Sequence, residues 1–415
     1  MTVTTNAPAR GFPSPPEPDL TPAEVIARAE AMAPTLVARQ AETEQRTYYA
    51  QDTHEEFLRA GFYRILVPRR YGGYEFGIDT FMRVALALTR ACPSTGWMYC
   101  LGAAHAHTAA TLFGERAQDE VFSNGDFICP ATIMPGGTAE RTADGHWIVS
   151  GTWNYCSGAP YASHFIAHTF VSPGPGQPPE PMPFIAPRSE WELVQDWGKT
   201  LGLKGSGSHS ITMRGGRIPD YYTLDGHISQ TDVSGGTPGL ELHRNPEYGG
   251  GPLGVMLLED AVLAVGMAKG ALDAYEDLMR TRMTMFPPIV GRAEDPDYQF
   301  FYGEATGLIA TAEAAFLNAI QQWSDACHEG PAAYTPEREL RIGAICREVV
   351  RLSWKAVERY LFPTAGSSSV RQGERIERVW RDMSMLQTHA GVAIFLTTIA
   401  KRELTKARFG ILDEH

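Results

Sequence analysis

The chain has 415 residues, 43% hydrophobic and 20% charged, an ordinary globular composition long enough for two or three domains. A formal net charge of −12 and the lack of any Lys/Arg run argue against a nucleic-acid surface. No apolar run approaches the roughly 20 residues that span a bilayer, and MTVTTNAPARGFPSPPEPDL lacks the apolar stretch of a secretory leader, so a cytoplasmic protein without membrane contact is expected.

Residues 1–20, rich in proline and poor in apolar side chains, read as a disordered tail. Residues 21–125 read as a helical domain. In TPAEVIARAEAM, Thr21 is an N-cap, Pro22 takes the first helical position and Glu24 stands at capping-box spacing. FMRVALALTRA and the small-residue-rich CPSTGWMYCLGAAHAHTAATLF follow as helices. Residues 126–235 change period. GHWIVSGTWNYCSG, HFIAHTFV, PMPFIAP and SHSITMRGGRIP are short β-branched and aromatic runs broken by Gly, Pro and Ser, predicting a small antiparallel barrel or sandwich.

Residues 236–415 return to long amphipathic helices and predict a four-helix bundle, the last helix running unbroken through RVWRDMSMLQTHAGVAIFLTTIAKRELTKARF. EDPDYQFFYG, between two of these helices, reads as a loop and a candidate lid. The fold class is therefore α+β, mostly α. The six cysteines are scattered with no CxxC pair, which points to reduced core thiols rather than disulfides or a zinc site.

GFYRILVPRRYGGYE, CPSTGW, VSGTWNYCSGAPYASHF, WGKTLGLKGSGSHSI and TAGSSSV with RVWRDMSMLQTHAG, in this order, resemble one branch of the acyl-CoA dehydrogenase fold. The branch is that of the flavin-dependent monooxygenases, the oxygenase components of two-component systems of the p-hydroxyphenylacetate hydroxylase and secosteroid-phenol hydroxylase type. The resemblance implies reduced FMN or FAD supplied by a separate NAD(P)H-flavin reductase, and dioxygen as co-substrate. It also implies a C4a-hydroperoxyflavin that hydroxylates a phenolic or polyketide-like aromatic substrate, in a homotetramer with flavin sites at subunit interfaces. Two other activities use this fold: acyl-CoA dehydrogenation, which needs a carboxylate base from Glu304 or another acid, and N- or S-hydroxylation, which needs no phenol-activating base.

His389, in QTHAG, stands where the dehydrogenases usually carry a glutamate. An imidazole suits a phenol hydroxylase, because a group titrating near neutrality can take the phenolic proton and so activate the ring. His105 and His107 in GAAHAHTAA face different directions on a helix. The resemblance favours His105 as the substrate-binding imidazole, with His107 the substitute, and no metal site is expected. By the same resemblance Ser157 lies near flavin N5. Trp153 and Tyr155 alternate with it on one strand and would share its face, and Trp97 joins the substrate site. Gly205, Ser206 and Ser208, and Gly366, Ser367 and Ser368, form small polar loops that suit a phosphate, with Arg282 a further candidate. Arg381 and Asp382 are read as structural, either a local ion pair or residues that orient the His389 helix.

Overall fold

The structure, a computed structural model, describes residues 13–174 and 176–411. Of the expected tail, residues 1–12 lie outside this range. Within 13–20, Leu20 is buried and Glu17 pairs with Arg28 at 2.7 Å.

Seven helices come first: α1 (Pro22–Ala38), α2 (Gln40–Arg46), α3 (Gln51–Ala60), α4 (Gly77–Ala91), α5 (Pro93–Ala103), α6 (His105–Leu112) and α7 (Glu115–Val121). The Thr21 capping box forms as its spacing predicts: Glu24 N donates to Thr21 Oγ1, and Thr21 N donates to the Glu24 carboxylate at 2.8 Å. The run read as one helix over CPSTGW to TLF is two, α5 and α6, adjoining at Ala104. Gly96 and Gly266 both lie against Thr89, so α4, α5 and the later helix over Pro252–Thr281 pack backbone to backbone.

The strands are β1 (Ala131–Thr132), β2 (Thr138–Arg141), β3 (His146–Trp153), β4 (His164–Val171), β5 (Glu180–Pro187), β6 (Glu192–Val194) and β7 (Ser210–Pro219). They form one curled sheet in the order β1-β4-β2-β3-β7-β6, with β5 on the other edge of β4. The sheet is mixed rather than purely antiparallel: β1 and β2 share one edge of β4 and both run parallel to it. The two strands that create this geometry, β1 and β2, are too short to carry a period in the sequence.

The helices then resume with α8 (Pro238–His243), α9 (Pro252–Thr281), α10 (Pro296–His328), α11 (Pro336–Lys355), α12 (Phe362–Thr364), α13 (Arg375–Thr388) and α14 (Ala400–Phe409). A π-helical turn, Ala356–Leu361, joins α11 to α12, and a longer one, Gly391–Ile399, leads into α14. Two expectations change here. EDPDYQFFYG is not a loop: Asp295 caps the backbone of Asp297 and Tyr298, Pro296 takes the first helical position, and α10 starts there. The last helix is not continuous either. It breaks at His389, and the two parts meet at 50°. No single helix among the described residues is long and apolar enough to cross a membrane.

Candidate active site

Helices α5, α9 and α13 and the loops of the sheet enclose a cavity of about 590 Å³. Its walls include Trp97, His105, Trp153, Ser157, Ser208, Glu259, Asp260 and His389. The chain therefore brings together side chains separated by almost 300 positions.

His389 reaches the cavity because α13 ends there. Its backbone is extended (φ −60°, ψ 137°), and its N–H closes the helix onto Leu386 O. Helix α13 is clamped in place by buried ion pairs. Arg381 meets Glu44 at 2.9 Å and Glu377 at 2.5 Å and donates to Leu201 O, while Asp382 accepts from Leu203 N at 2.5 Å. Burial lifts the Asp382 carboxyl to about 7. Arg381 and Asp382 thus touch the 201–203 loop and α2 rather than the cavity.

The His389 ring meets Asp260 of α9, Nδ1 to Oδ1, at 3.1 Å. Asp260 accepts, so Nδ1 carries the proton and Nε2 is left with its lone pair. Desolvation pulls the imidazole down, but the Asp260 charge and hydrogen bond outweigh it and the net shift is upward. Gly391 makes the approach possible. A Cβ there would stand 2.3 Å from Asp260 Oδ2. Trp97 presents an edge to the ring, with centroids 5.2 Å apart.

The opposite wall is a chain of hydroxyls. Trp97 Nε1 donates to Ser157 Oγ at 2.9 Å; Ser157 and Ser208 are 2.7 Å apart, as are Ser208 and Ser206. Ser206 Oγ donates to Leu203 O at 2.8 Å. Proton counting fixes the direction. The Ser206 hydrogen is spent on the carbonyl, so Ser208 donates to Ser206 and Ser157 to Ser208. Ser157 has no hydrogen left to give and one lone pair free. A group that donates a proton, such as N5–H of a reduced flavin, fits this acceptor. Gly158 (φ 99°) brings the Ser157 turn against α5: its added Cβ would lie 3.0 Å from Gly102 Cα.

The expected face of Trp153, Tyr155 and Ser157 takes a different form. Strand β3 ends at Trp153, and Tyr155 has φ 62°, which breaks the alternation. All three still line the cavity. Trp153 is buried and donates to His168 O, while Tyr155 is exposed beside Trp197. Of the Gly-Ser loop, Ser206 and Ser208 serve the hydroxyl chain rather than an open phosphate cradle, and Gly205 packs on Thr43.

His105 and His107 part company. His105 Nδ1 donates to Cys129 O at 2.8 Å, leaving Nε2 as an acceptor on the cavity, and burial lowers its pKa to about 4. His107 points away: Nε2 donates to Glu247 O at 2.8 Å and the ring packs on Trp323 and Tyr248. As a substrate-binding candidate His107 is therefore corrected. Gly366, Ser367 and Ser368 lie outside this chain's cavity, with Ser367 and Ser368 exposed. Arg282 is also exposed, at the end of α9. The arginine buried beside Gly366 is instead Arg292, which donates to Ala365 O at 2.8 Å. Glu304 is exposed on α10. Cys129 and Cys156 are fully buried, and burial holds both thiols protonated.

Several wall residues were not anticipated. Glu259 and Asp260 sit mid-way along an apolar run, LGVMLLEDAVLAV, and two adjacent acids in such a run are the signal that would have found them. Thr132–Gly136 of ICPATIMPGG, Asn154, Met256 and Phe395 also line the cavity.

The sequence matches the acyl-CoA dehydrogenase N-terminal domain over residues 24–123 and the acyl-CoA dehydrogenase C-terminal domain over 259–394. The chain thus belongs to the acyl-CoA dehydrogenase fold family. Within it, several similar proteins are named as hydroxylases or monooxygenases. It is 28% identical to a pigment production hydroxylase of Rhodococcus sp. over 90% of this chain and 93% of that one. It is 28% identical to the flavin-dependent monooxygenase oxygenase subunit HsaA of Rhodococcus jostii, over 88% and 93%. It is also 28% identical to the oxygenase component of an FADH2-dependent resorcinol hydroxylase of Rhizobium sp., over 85% and 86%. The 3-HSA hydroxylase structure from Rhodococcus sp. superposes with a TM-score of 0.83 at 25% identity, covering 94% of this chain and 98% of that one. The chain is a flavin-dependent monooxygenase of the oxygenase-component type.

Proposed function

We propose that the protein hydroxylates a phenolic or polyketide-like aromatic ring, using reduced FMN or FAD delivered by a separate NAD(P)H-flavin reductase. The observation that carries this reading is the convergence of the Asp260–His389 pair and the Ser157 acceptor on one cavity. When bound, the flavin supplies the oxygen that is transferred from dioxygen. Trp153, Tyr155 and Ser157, backed by Ser206 and Ser208, would hold its ring, and Ser157 would accept a hydrogen bond from N5–H without having one to donate in return. His389 Nε2 takes the phenolic proton, and Asp260 supports the imidazolium that results. His105 Nε2 accepts from a substrate hydroxyl, and Trp97 walls the ring.

A dehydrogenase would need an ionised carboxylate in this place. Glu304 is far too exposed to serve; of the two cavity carboxyls, Glu259 is held protonated by burial and by its neighbour Asp260, and Asp260 is taken up by its hydrogen bond with His389. N- or S-hydroxylation would leave the Asp260–His389 pair without a task. A homotetramer accounts for the apolar rim after α9, where Met285 is 73% and Phe286 78% exposed, with Ile289 and Phe300 nearby in character. In such an assembly Arg282, Gly366, Ser367 and Ser368 would serve a flavin shared with a neighbouring subunit.

The test is rapid mixing of the protein, anaerobically loaded with reduced FMN or FAD, against dioxygen without substrate. The expected result is a near-ultraviolet transient that precedes oxidised flavin. Direct reoxidation at the rate of free flavin would overturn the reading.

A further inference from the structure

Glu259 has no task in the chemistry described so far. It is 3% exposed, lines the cavity, and makes no hydrogen bond to any described residue. Its neighbour on α9, Asp260, is committed to His389. Among the described residues no Lys or Arg lines the cavity, and the one wall histidine beside His389, His105, is neutral.

We propose that Glu259 recognises a second hydroxyl or a carbonyl on the aromatic substrate, and that the cavity selects uncharged, polyoxygenated aromatics over aromatic carboxylates. This rests on the aromatic-hydroxylase reading and narrows its substrate class. An unpaired carboxylate buried to this degree is costly, so the group keeps its proton, in keeping with its upward shift. A protonated carboxyl is one O–H donor with acceptor capacity left over, and it can pair with either a carbonyl or a hydroxyl. With His389 in the neutral form that catalysis requires, a substrate carboxylate would meet the Asp260 charge across the same cavity with no Lys or Arg to offset it. The opposing costs point one way: neutral oxygens are welcomed and anions are repelled.

The test is anaerobic equilibrium titration of the full-length protein, with reduced FMN present, using three matched probes. They are a naphthol, a dihydroxynaphthalene with its second hydroxyl on the distal ring, and the hydroxynaphthoate with a carboxylate there. The diol is expected to bind about fivefold tighter than the naphthol, one net hydrogen bond, and the naphthoate at least about tenfold weaker than the diol. Glu259→Leu should bring the diol down to the naphthol while leaving the naphthol within about threefold, and Glu259→Gln should keep the advantage of the diol. The probe order in the unmodified protein tests selection even where a variant does not fold. Naphthoate binding as tightly as the diol, or a Leu variant that weakens both neutral probes equally, would overturn the proposal. None of these titrations needs oxygen transfer, so their failure is separate from a failure to form the near-ultraviolet transient.

Discussion

The two walls of the cavity are built on different physics. On the Ser157 wall every hydroxyl proton is spent, from Trp97 through Ser157, Ser208 and Ser206 to Leu203 O, and no formal charge is present. On the α9 and α13 wall stand two acids and an imidazole, one acid paired and one not. The first wall can hold a donor still but cannot move a proton. The second can move one. Reduced-flavin oxygenation needs both, because a reactive oxygen donor must be kept from losing protons while the substrate must lose its own.

Breaking the second wall should have the largest effect. His389→Ala removes the proton acceptor and is expected to lower kcat for a phenol by about 10²–10³-fold. The near-ultraviolet transient without substrate should be unchanged, as stopped-flow mixing would record. Loss of that transient in His389→Ala would mean that the two walls do not divide the work in this way.

Ser157→Ala breaks the first wall. It leaves Trp97 Nε1 and Ser208 without their partner and removes the free acceptor. The transient should decay about 10–100-fold faster, with hydrogen peroxide released in place of product, and the fold should lose about 1–3 kcal/mol by thermal or urea melts. Equal peroxide yields from variant and parent would argue that another group holds the flavin N5 proton.

Asp260→Asn keeps the shape of the second wall and removes its charge. The His389 pKa lies above its ordinary 6.5, and activity needs the neutral ring, so the acid limb of kcat/KM should fall above that value. The variant should move the limb to lower pH and lower kcat about tenfold. The stability sign follows from the same shift. A raised folded pKa contributes stability below 6.5 that is lost as pH rises through the raised value, so the gap in Tm between parent and variant should narrow from the acid to the alkaline side.

How much of this was legible in the sequence differs between the walls. The three blocks of helix, strand and helix carry clear periods, and the ordered motifs gave the fold class. Ser157, Trp97, His105 and His389 stand in motifs that come together on the cavity. Glu259 and Asp260 stand in none of the motifs; their adjacency in an apolar run marks them as unusual, but their place under His389 shows only once α9 is packed there. The break at His389 was hidden because Ala390 and Val392 continue the apolar pattern of α13. At the break the His389 ring is held by Asp260, more than 120 positions away, a contact that a local pattern cannot carry. The false strand face of Trp153 and Tyr155 failed for a similar reason: Tyr155 takes a left-handed conformation that alternation does not announce.

The smallest effect should come from His107, and it sharpens the division between the two histidines of GAAHAHTAA. Both rings are buried, both are neutral with pKa values near 4, and both donate to a backbone carbonyl. Only the direction differs. His105 keeps its second nitrogen on the cavity, whereas the second nitrogen of His107, Nδ1, is buried without a partner against the Trp323 and Tyr248 packing. His107→Gln retains a donor for Glu247 O and should cost about 1 kcal/mol of stability, with kcat and KM within about twofold of the parent. His105→Phe removes the cavity acceptor and should raise KM for phenols several-fold while leaving the no-substrate transient intact. A His107→Gln variant that lost activity at full stability would place the functional ring two residues later and would require α6 to turn by more than half a turn about its axis, which the packing of Gly239 on Ala110 and Thr111 forbids.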